Sequence, residues 1–338
     1  MSLLYAFHFD TGLLPPQIVT FSGVSVVTTQ KRTGGYSLMF SQSYAFTFSY
    51  RANFFLDAVL SEFYIQFALY SVSQTNTSRI FRWRNAAGAV LGGLELDYLT
   101  SQFRLYTGNF VSLVASSTTV ISPSTWNVIE LHIKIDETDG IIALRVNTND
   151  DVSYAGNTKP EVDSAVKFLD FGNMYGVFTY FDDIIINDTN GTINNSWPNG
   201  AKVYYLLPSG DGGINQWTVT PAGLTHYTAV DETTPEASDY IRAGTTDLID
   251  IFSMSDLPAD AGSIKAVIPE VFAFKSASES PSMLGIGIDI GEGVEYSSDK
   301  LLTMSQSVIN NIWEQKPGGG NFTSVDVNAL QLYLKSRP

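Results

Sequence analysis

The feature that most constrains the fold is a strict alternation of apolar and polar residues over 128–136. The apolar members are Ile129, Leu131, Ile133 and Ile135, and the polar members are Glu130, His132, Lys134 and Asp136. A period of two places one set on each face of a β-strand, so that one face packs on a core and the other meets solvent. Residues 137–140 supply turn chemistry ending in Gly140, and the alternation resumes over 142–146. The pattern predicts an antiparallel hairpin.

Further short segments with strand character follow one another along the chain, separated by breaks rich in Gly, Asn and Pro. The predicted strands are 1–10, 43–50, 63–69, 79–84, 89–98, 102–106, 110–114, 184–186, 202–207, 264–274, 283–290 and 321–334, and loops are predicted at 208–213, 276–282 and 317–320. The helical period fits only short turns near 54–61 and 325–333. Many short strands at such spacing favour a sandwich or a barrel, so the predicted fold class is all-β.

The length of the chain and one break in its pattern predict two domains. At 338 residues the chain exceeds the roughly 250 residues at which single cores stop growing. Asn, Gly, Thr and Pro cluster between Asn190 and Asn199, directly after an apolar strand. We therefore expect two β-sandwich domains, 1–195 and 196–338.

Composition excludes several classes of protein. With 19 basic and 34 acidic residues the net charge is −15, and no basic stripe is present, which disfavours nucleic-acid binding. The chain has no cysteine, so disulfides, thiolate zinc sites and cysteine nucleophiles are excluded. Residues 1–10 lack the positively charged start of a secretory signal, and no apolar stretch reaches the roughly 18 residues of a membrane-spanning helix. Neither nucleic acid nor membrane insertion is expected.

Several motifs resemble known families. The strand led by Trp126, the hairpin that follows it and the segment Tyr180-Phe181-Asp182-Asp183-Ile184 together resemble the laminin-G-like or concanavalin-A-like jelly roll. The segments 183–197, 203–217, 230–235 and 327–331 are, in succession, similar to virion structural, tail and fibre proteins of tailed bacteriophages.

This resemblance implies a concanavalin-A-like jelly roll for 1–195 and a second β-rich sandwich for 196–338. It implies a non-enzymatic structural component of a bacteriophage particle, placed in capsid decoration, a head fibre, the tail or the tail tip, and assembled in the bacterial host cytoplasm. The expected partners are copies of the chain itself in a homo-oligomer, other virion proteins, and host-surface glycans if one face of the sandwich binds carbohydrate. A free-standing carbohydrate-binding lectin and a jelly-roll glycoside hydrolase are the alternatives.

Glu95 and Asp97 alternate on a predicted strand, as the paired carboxylates of jelly-roll glycoside hydrolases do. Two carboxylates on one strand face could meet the separation of about 5–5.5 Å that a retaining mechanism needs. The glycosidase pattern has a third carboxylate where this chain has Thr100. Solvent-facing strand carboxylates are therefore the favoured interpretation, and no residue is predicted to be catalytic.

A group of oxygen-bearing side chains ends the first predicted domain, and its members are Asp182, Asp183, Asn187 and Asp188. Oxygens of this kind are calcium ligands in proteins. Because neighbours on a strand point to opposite faces, at most one of Asp182 and Asp183 is expected to face any one site. A carboxylate that accepts N–H groups of a loop is favoured over a metal ligand, and neither a metal nor a cofactor is predicted.

The remaining candidates have structural interpretations. The histidines are His8, His132 and His226, and the glycines spaced like a loose phosphate loop are Gly285, Gly287 and Gly291. The histidines lie far apart in sequence, so no metal or triad is expected, and the glycines predict close backbone approach or a bulge. Tyr64, Tyr70 and Tyr98 could form a platform for sugar rings, but packing is favoured and the carbohydrate-binding residues are unknown.

Overall fold

Strands contain 49% of the residues and helices only 3%. This confirms the predicted all-β class and its β-sandwich. The computed structural model describes residues 2–20, 23–41, 51–71, 76–160, 165–172, 176–276 and 281–338. The chain forms two compact units, Met1–Val203 and Tyr204–Pro338. In the described part of the chain, no helix has both the length and the apolar character needed to cross a membrane.

The described residues of the first unit form fifteen strands. In chain order they are β1 (Leu3–Phe7), β2 (Ile18–Thr20), β3 (Val24–Val27), β4 (Ser37–Phe40), β5 (Arg51–Leu60), β6 (Glu62–Ser71), β7 (Ser78–Asn85), β8 (Val90–Asp97), β9 (Gln102–Thr107), β10 (Ser112–Ser116), β11 (Trp126–Lys134), β12 (Gly140–Val146), β13 (Asn149–Gly156), β14 (Val166–Gly172) and β15 (Thr179–Asp188). The predicted strand at 43–50 lies outside the described residues.

These strands form two sheets with a shared core. The front sheet has the order β13-β12-β11-β6-β15-β4-β3, with β1 also paired to β15, and the back sheet has the order β10-β9-β8-β7-β14-β5-β2. Phe67 of the front sheet lies 5.5 Å from Phe81 and 5.4 Å from Phe171 of the back sheet, measured between ring centroids. The sheets therefore stack on an aromatic core, as a jelly-roll sandwich requires.

The predicted hairpin is formed by β11 and β12, in a register that pairs Ile129 with Val146, Leu131 with Leu144 and Ile133 with Ile142. All six side chains are buried in the core between the sheets. β11 also pairs with β6 along its whole length, so the hairpin lies inside the sheet on that side.

Two local predictions in the chain are wrong. The expected helical turn at 54–61 is part of β5, because Phe54 and Leu56 are buried while Phe55 and Asp57 face outward, which is a strand period. The expected strand at 202–207 has no strand hydrogen bonding, and the strand begins instead at Pro208, inside the predicted loop. Glycines led to the loop prediction, but a Cβ on Gly212 would lie 2.4 Å from Ile251 Cγ2, so glycine there allows close strand packing.

The second unit is built on one six-stranded antiparallel sheet. Its elements are β16 (Pro208–Asn215), β17 (Thr218–Thr220), a 3₁₀ turn (Tyr227–Ala229), β18 (Tyr240–Arg242), β19 (Ile249–Met254), β20 (Glu270–Ala273), β21 (Met283–Asp289), β22 (Glu295–Tyr296), β23 (Lys300–Leu301), β24 (Ser307–Asn310), α1 (Ser324–Asn328) and β25 (Gln331–Arg337). The order is β16-β19-β25-β21-β22, with β23 also paired to β21, and two two-stranded sheets are β17-β18 and β20-β24. The helical turn expected near 325–333 is α1 in its first half, and the rest is β25. The strand predicted at 321–334 is therefore wrong before Gln331.

The segment 196–203 belongs to the first unit by its contacts, and we call it the crossing segment. The oxygen of Ala201 accepts from Gln66 Nε2 at 2.7 Å, and Val203 N donates to Asp183 Oδ1 at 2.8 Å. The predicted boundary between 195 and 196 stays a prediction; the division into two compact units falls between Val203 and Tyr204.

Candidate functional site

The outer face of the front sheet carries a group of candidate functional side chains in the first unit. Pairing of β6 with β11 sets Tyr64 opposite His132 and Gln66 opposite Glu130 on this face. The period of two that sends Ile129, Leu131 and Ile133 into the core sends their polar neighbours outward. The polar half of the sequence pattern is therefore the part that builds the site.

Three rings form what we call the ring cluster, which consists of Tyr64, His132 and Trp197. The Tyr64 and His132 rings are stacked, with centroids 4.2 Å apart and planes 12° apart. Trp197, from the crossing segment, meets Tyr64 edge-on at 5.3 Å and His132 at 6.1 Å. The guanidinium of Arg145 lies 4.3 Å from the centre of the Trp197 ring, and its Nε bonds Asp150 Oδ1 at 2.5 Å.

The electrostatics of the cluster keep both Tyr64 and His132 neutral near pH 7. His132 Nε2 lies 2.9 Å from Glu62 Oε1. Burial lowers the pKa of His132, although the hydrogen bond and charge of Glu62 act in the opposite direction. Burial also raises the pKa of Tyr64, and the charge of Glu62 raises it further. An uncharged imidazole thus stacks on a protonated phenol, beside a carboxylate.

A second group of rings lies at the other end of the same strands. Tyr70 lies 5.5 Å from Trp126 and 5.8 Å from Tyr180 between ring centroids. Two of the three tyrosines singled out from the sequence, Tyr64 and Tyr70, therefore share one sheet face. Tyr98 lies beyond the end of β8, with 40% of its surface exposed.

The crossing segment covers the middle of this face. Besides the bond from Gln66 to Ala201, Gly200 N donates to Glu130 Oε1 at 3.3 Å, and Asn187 Nδ2 donates to the Ser196 oxygen at 2.8 Å. Gln66 and Glu130 are consequently fully buried although they point away from the core. The sequence alone could not show this, because the contact joins strands to a segment about 70 and 135 residues further along the chain.

Asp182 and Asp183 both bind the loop at Arg32 and Thr33. Asp182 Oδ2 accepts from Arg32 N at 2.9 Å and Thr33 N at 3.2 Å. Asp183 Oδ2 accepts from Arg32 Nη1 at 2.5 Å and Thr33 Oγ1 at 2.9 Å. The favoured loop-binding role is what the geometry shows, but the expectation that only one of the two could face a given site is wrong. Asp183 has a φ of 47° and the β15–β6 register shifts after Asp182, so the usual alternation fails.

Burial and mutual repulsion perturb this aspartate pair. Burial, followed by the charge of Asp183, raises the pKa of Asp182 to about 7. Burial also raises the pKa of Asp183, against the opposing effect of Arg32. The other two oxygen-bearing side chains proposed with them act locally, since Asp188 accepts from Asn190 N and Asn187 donates to Ser196.

Glu95 and Asp97 lie together on β8, but both engage Arg104. Arg104 Nη2 bonds Asp97 Oδ2 at 2.7 Å, and Arg104 Nη1 lies 3.7 Å from Glu95 Oε1. Burial alone would raise the pKa of Asp97, yet hydrogen bonds from Leu99 N and Thr100 and the charge of Arg104 lower it. An ionised carboxylate held in this way is a poor proton donor, so Asp97 is unsuited to the role of general acid.

The three histidines lie beside different carboxylates. His8 Nδ1 is 3.8 Å from Asp10 Oδ2, His132 contacts Glu62, and His226 Nδ1 is 2.5 Å from Asp250 Oδ2 in the second unit. Sequence reasoning missed one cluster in the described residues, formed by Glu232, Glu236 and Asp239. Gly287 marks the expected close approach, because a Cβ there would lie 2.9 Å from Val294 and Tyr296.

No protein-family model matches the chain, and no curated protein matches it. Among solved structures, the cellulose induced protein Cip1 is similar at 12% identity and a TM-score of 0.43, over 58% of this chain and 100% of that chain. An endo-β-1,4-glucuronan lyase from the fungus Trichoderma reesei is similar at 13% identity and a TM-score of 0.39, over 54% of this chain and 90% of that chain. A protein of unknown function with a galectin-like fold from Bacillus subtilis is similar at 8% identity and a TM-score of 0.42, over 55% of this chain and 96% of that chain.

These likenesses concern the β-sandwich fold and correct one prediction. The expectation of a non-enzymatic protein is contradicted, because a polysaccharide lyase is among the similar chains. The comparisons lend no support to a phage virion role, which stays a prediction.

Proposed function

We propose that the protein binds carbohydrate at the ring cluster on the outer face of the front sheet. The observation that carries the proposal is the grouping of Tyr64, His132 and Trp197 beside Arg145 and Glu62, all half-buried rather than in the core. Apolar faces of sugar rings pack on aromatic rings, and sugar hydroxyls need fixed donors and acceptors beside them. The cluster supplies both kinds of contact on one rigid sheet.

The test is binding of the whole chain to a panel of polysaccharides and oligosaccharides, followed by calorimetry on the best ligand. We expect Tyr64→Ala to weaken binding about tenfold or more, which corresponds to about 1.4 kcal/mol for loss of a central aromatic contact. Tyr98→Ala is the matched control, since Tyr98 is an exposed tyrosine outside the cluster. Equal affinities of the two variants would place the binding surface elsewhere, and no binding by the unaltered chain would reject the proposal.

Proton transfer on a bound sugar is a second candidate function, favoured by the stack of Tyr64 on His132. A neutral imidazole can accept a proton, and a phenol can donate one, within the same cluster. Eliminative cleavage of a uronic-acid polysaccharide uses such a pair. The base takes the proton from C5, the ring carbon next to the carboxylate, and a double bond forms between C4 and C5 as the bond from C4 to the glycosidic oxygen breaks. The acid gives its proton to the leaving oxygen.

Ultraviolet absorbance of unsaturated sugar ends measures this reaction on a panel of polyuronates. We expect His132→Gln to lower the rate about 100-fold or more, while Tyr98→Ala leaves it unchanged. Absence of product with the unaltered chain would reject catalysis. It would not affect the proposal of carbohydrate binding, which the binding experiment tests separately.

We also propose, from the sequence resemblance, that the chain assembles with copies of itself in a phage particle, where a glycan-binding face would meet the host surface. A monomer at all concentrations in light scattering would count against self-assembly.

A further inference from the structure

Three oxygen atoms under the crossing segment have no hydrogen-bond donor among the described residues. They are Gln66 Oε1, Glu130 Oε2 and Asn187 Oδ1. Gln66 and Glu130 are 0% exposed and Asn187 is 3% exposed, so solvent does not satisfy these acceptors. Buried acceptors of this kind are rare in folded proteins, and each calls for a partner.

The strand register brings these side chains together on one face. Gln66 lies opposite Glu130 on the neighbouring strand β11. On its other side β15 places Ile185 opposite Gln66 and Asn187 opposite Tyr64, so Asn187 is a diagonal neighbour of Gln66. Gln66 therefore lies between Glu130 and Asn187 on three adjacent strands, and all three side chains share the face that the crossing segment covers.

The orientation of each group is fixed by its other polar atom. Gln66 Nε2 donates to the Ala201 oxygen, Asn187 Nδ2 donates to the Ser196 oxygen, and Glu130 Oε1 accepts from Gly200 N. Rotating either amide by 180° would place its oxygen next to a backbone carbonyl oxygen, and two acceptors cannot form a hydrogen bond. The amide oxygens are therefore the atoms that lack a donor.

Two arginines lie near Glu130, but each forms its ion pair with another carboxylate. Arg32 pairs with Asp183, and Arg145 pairs with Asp150, each at 2.5 Å. Among the described residues, no ion pair within 4.0 Å joins Glu130 to a lysine, arginine or histidine. The charges of Arg145 and Arg32 act on Glu130 from a longer distance, so the charge of this buried carboxylate is only partly balanced.

We propose that Gln66 Oε1, Glu130 Oε2 and Asn187 Oδ1 bind a hard metal cation, Na⁺ or Ca²⁺, beneath the crossing segment. One carboxylate and two amide oxygens are the donor types these cations take in proteins. The cation satisfies the three acceptors and balances the charge of Glu130. It also links β6, β11 and β15 beneath the segment that carries Trp197.

The test is thermal unfolding of the full chain in NaCl, CaCl₂ and tetramethylammonium chloride at equal ionic strength. We expect Na⁺ or Ca²⁺ at about 100 times its Kd to raise the Tm by about 5–10 °C over tetramethylammonium, and the more effective cation identifies the ligand. In Glu130→Gln, which keeps the side-chain shape, the cation-specific rise disappears. Glu236→Gln, at the exposed member of the acidic cluster of the second unit, keeps the rise and controls for binding at that cluster.

Equal Tm values of the unaltered chain in the three salts overturn the proposal, whatever the variants do. A cation-specific rise that survives in Glu130→Gln, or that disappears in Glu236→Gln, overturns it as well. If the Tm is insensitive to the cation but rises on acidification only when Glu130 is present, a proton fills the role and the metal site is rejected.

Discussion

At Asp183 the backbone takes a φ of 47°, in the left-handed region that few residues other than glycine adopt. Aspartate tolerates this conformation better than most residues, and here it turns the carboxylate toward Arg32, Thr33 and the backbone of Val203. A short irregularity in one strand thus joins an N-terminal loop, the last strand of the sandwich and the crossing segment.

Removing the positive partner of this buried aspartate should be costly. We expect Arg32→Met to lower the free energy of unfolding by about 3–5 kcal/mol, because it leaves the charge of Asp183 buried without its counter-ion. Urea denaturation followed by tryptophan fluorescence measures the change. Lys159→Met is the control, since its 3.0 Å pair with the exposed Glu137 should be worth less than about 1 kcal/mol. Similar effects of the two substitutions would contradict the structural importance of the Arg32 pair.

The raised pKa of Asp182 makes stability depend on pH. Its pKa of about 7 in the folded state lies above the ordinary value of 3.8, so the folded state binds more protons than the unfolded state between these pH values. The free energy of unfolding should therefore fall as the pH rises from about 4 to about 7. Chemical denaturation across this range should show a smaller fall in Asp182→Asn, which cannot ionise. A slope unchanged by the substitution would assign the pH dependence to other groups.

Among the strands, β8 shows how one glycine permits close packing. A Cβ on Gly92 would lie 2.2 Å from Trp83 Cζ2 and 2.7 Å from the Tyr106 backbone oxygen. Trp83 is fully buried and lies directly opposite Gly92 in the β7–β8 register, so the indole occupies the space of the missing side chain. This contact sets how closely β7, β8 and β9 approach in the back sheet.

We expect Gly92→Ala to destabilise the protein by about 1–3 kcal/mol through overpacking. Gly213→Ala should change stability by no more than about 0.5 kcal/mol, because a Cβ added at this strand glycine would meet no atom of the described residues within 4 Å. Differential scanning calorimetry on both variants measures the two effects. A neutral Gly92→Ala would mean that Trp83 moves aside without loss of packing.

Elements with a clear alternation could be predicted from sequence, and elements that depend on distant contacts could not. The hairpin of β11 and β12 follows from the residues at 128–146, since their period allows one buried face. The sequence did not predict β16, because its glycines favour turns locally, whereas packing against Ile251 stabilises a strand. Likewise the alternating pattern predicts that Tyr64 and His132 face outward. It does not predict their contact with Trp197, because that residue belongs to the crossing segment.

For the whole molecule, the division between the two units decides which fragment retains the site. We expect residues 1–203 to fold alone, because the core of the first unit lies within that range. Residues 1–195 should be less stable by about 3–9 kcal/mol, since Gln66, Glu130 and Asp183 each lose a buried partner worth about 1–3 kcal/mol. Urea denaturation of the two fragments makes the comparison, and equal stability would favour the boundary at 195.

Chain length and the Asn-rich break predict two domains, because both are properties of the sequence itself, and the chain forms two compact units. The end of the first unit could not be predicted, since residues 196–201 contain no strand pattern and the crossing segment is held by individual side-chain contacts with Gln66, Glu130 and Asp183. Charge and composition excluded classes of partner, but they did not place the candidate site on the sandwich.

The pairing of β1 with β15 joins Leu3 to Asn187, so β1 finds its neighbour only when the ribosome has made the end of the first unit. At about 5–20 residues per second, this delay is about 10–40 seconds of synthesis. During that time the N-terminal strand has an open edge in the crowded cell, where it can pair with another nascent chain. Synthesis rate and chaperone supply, rather than the final stability, should therefore govern the yield of properly formed protein.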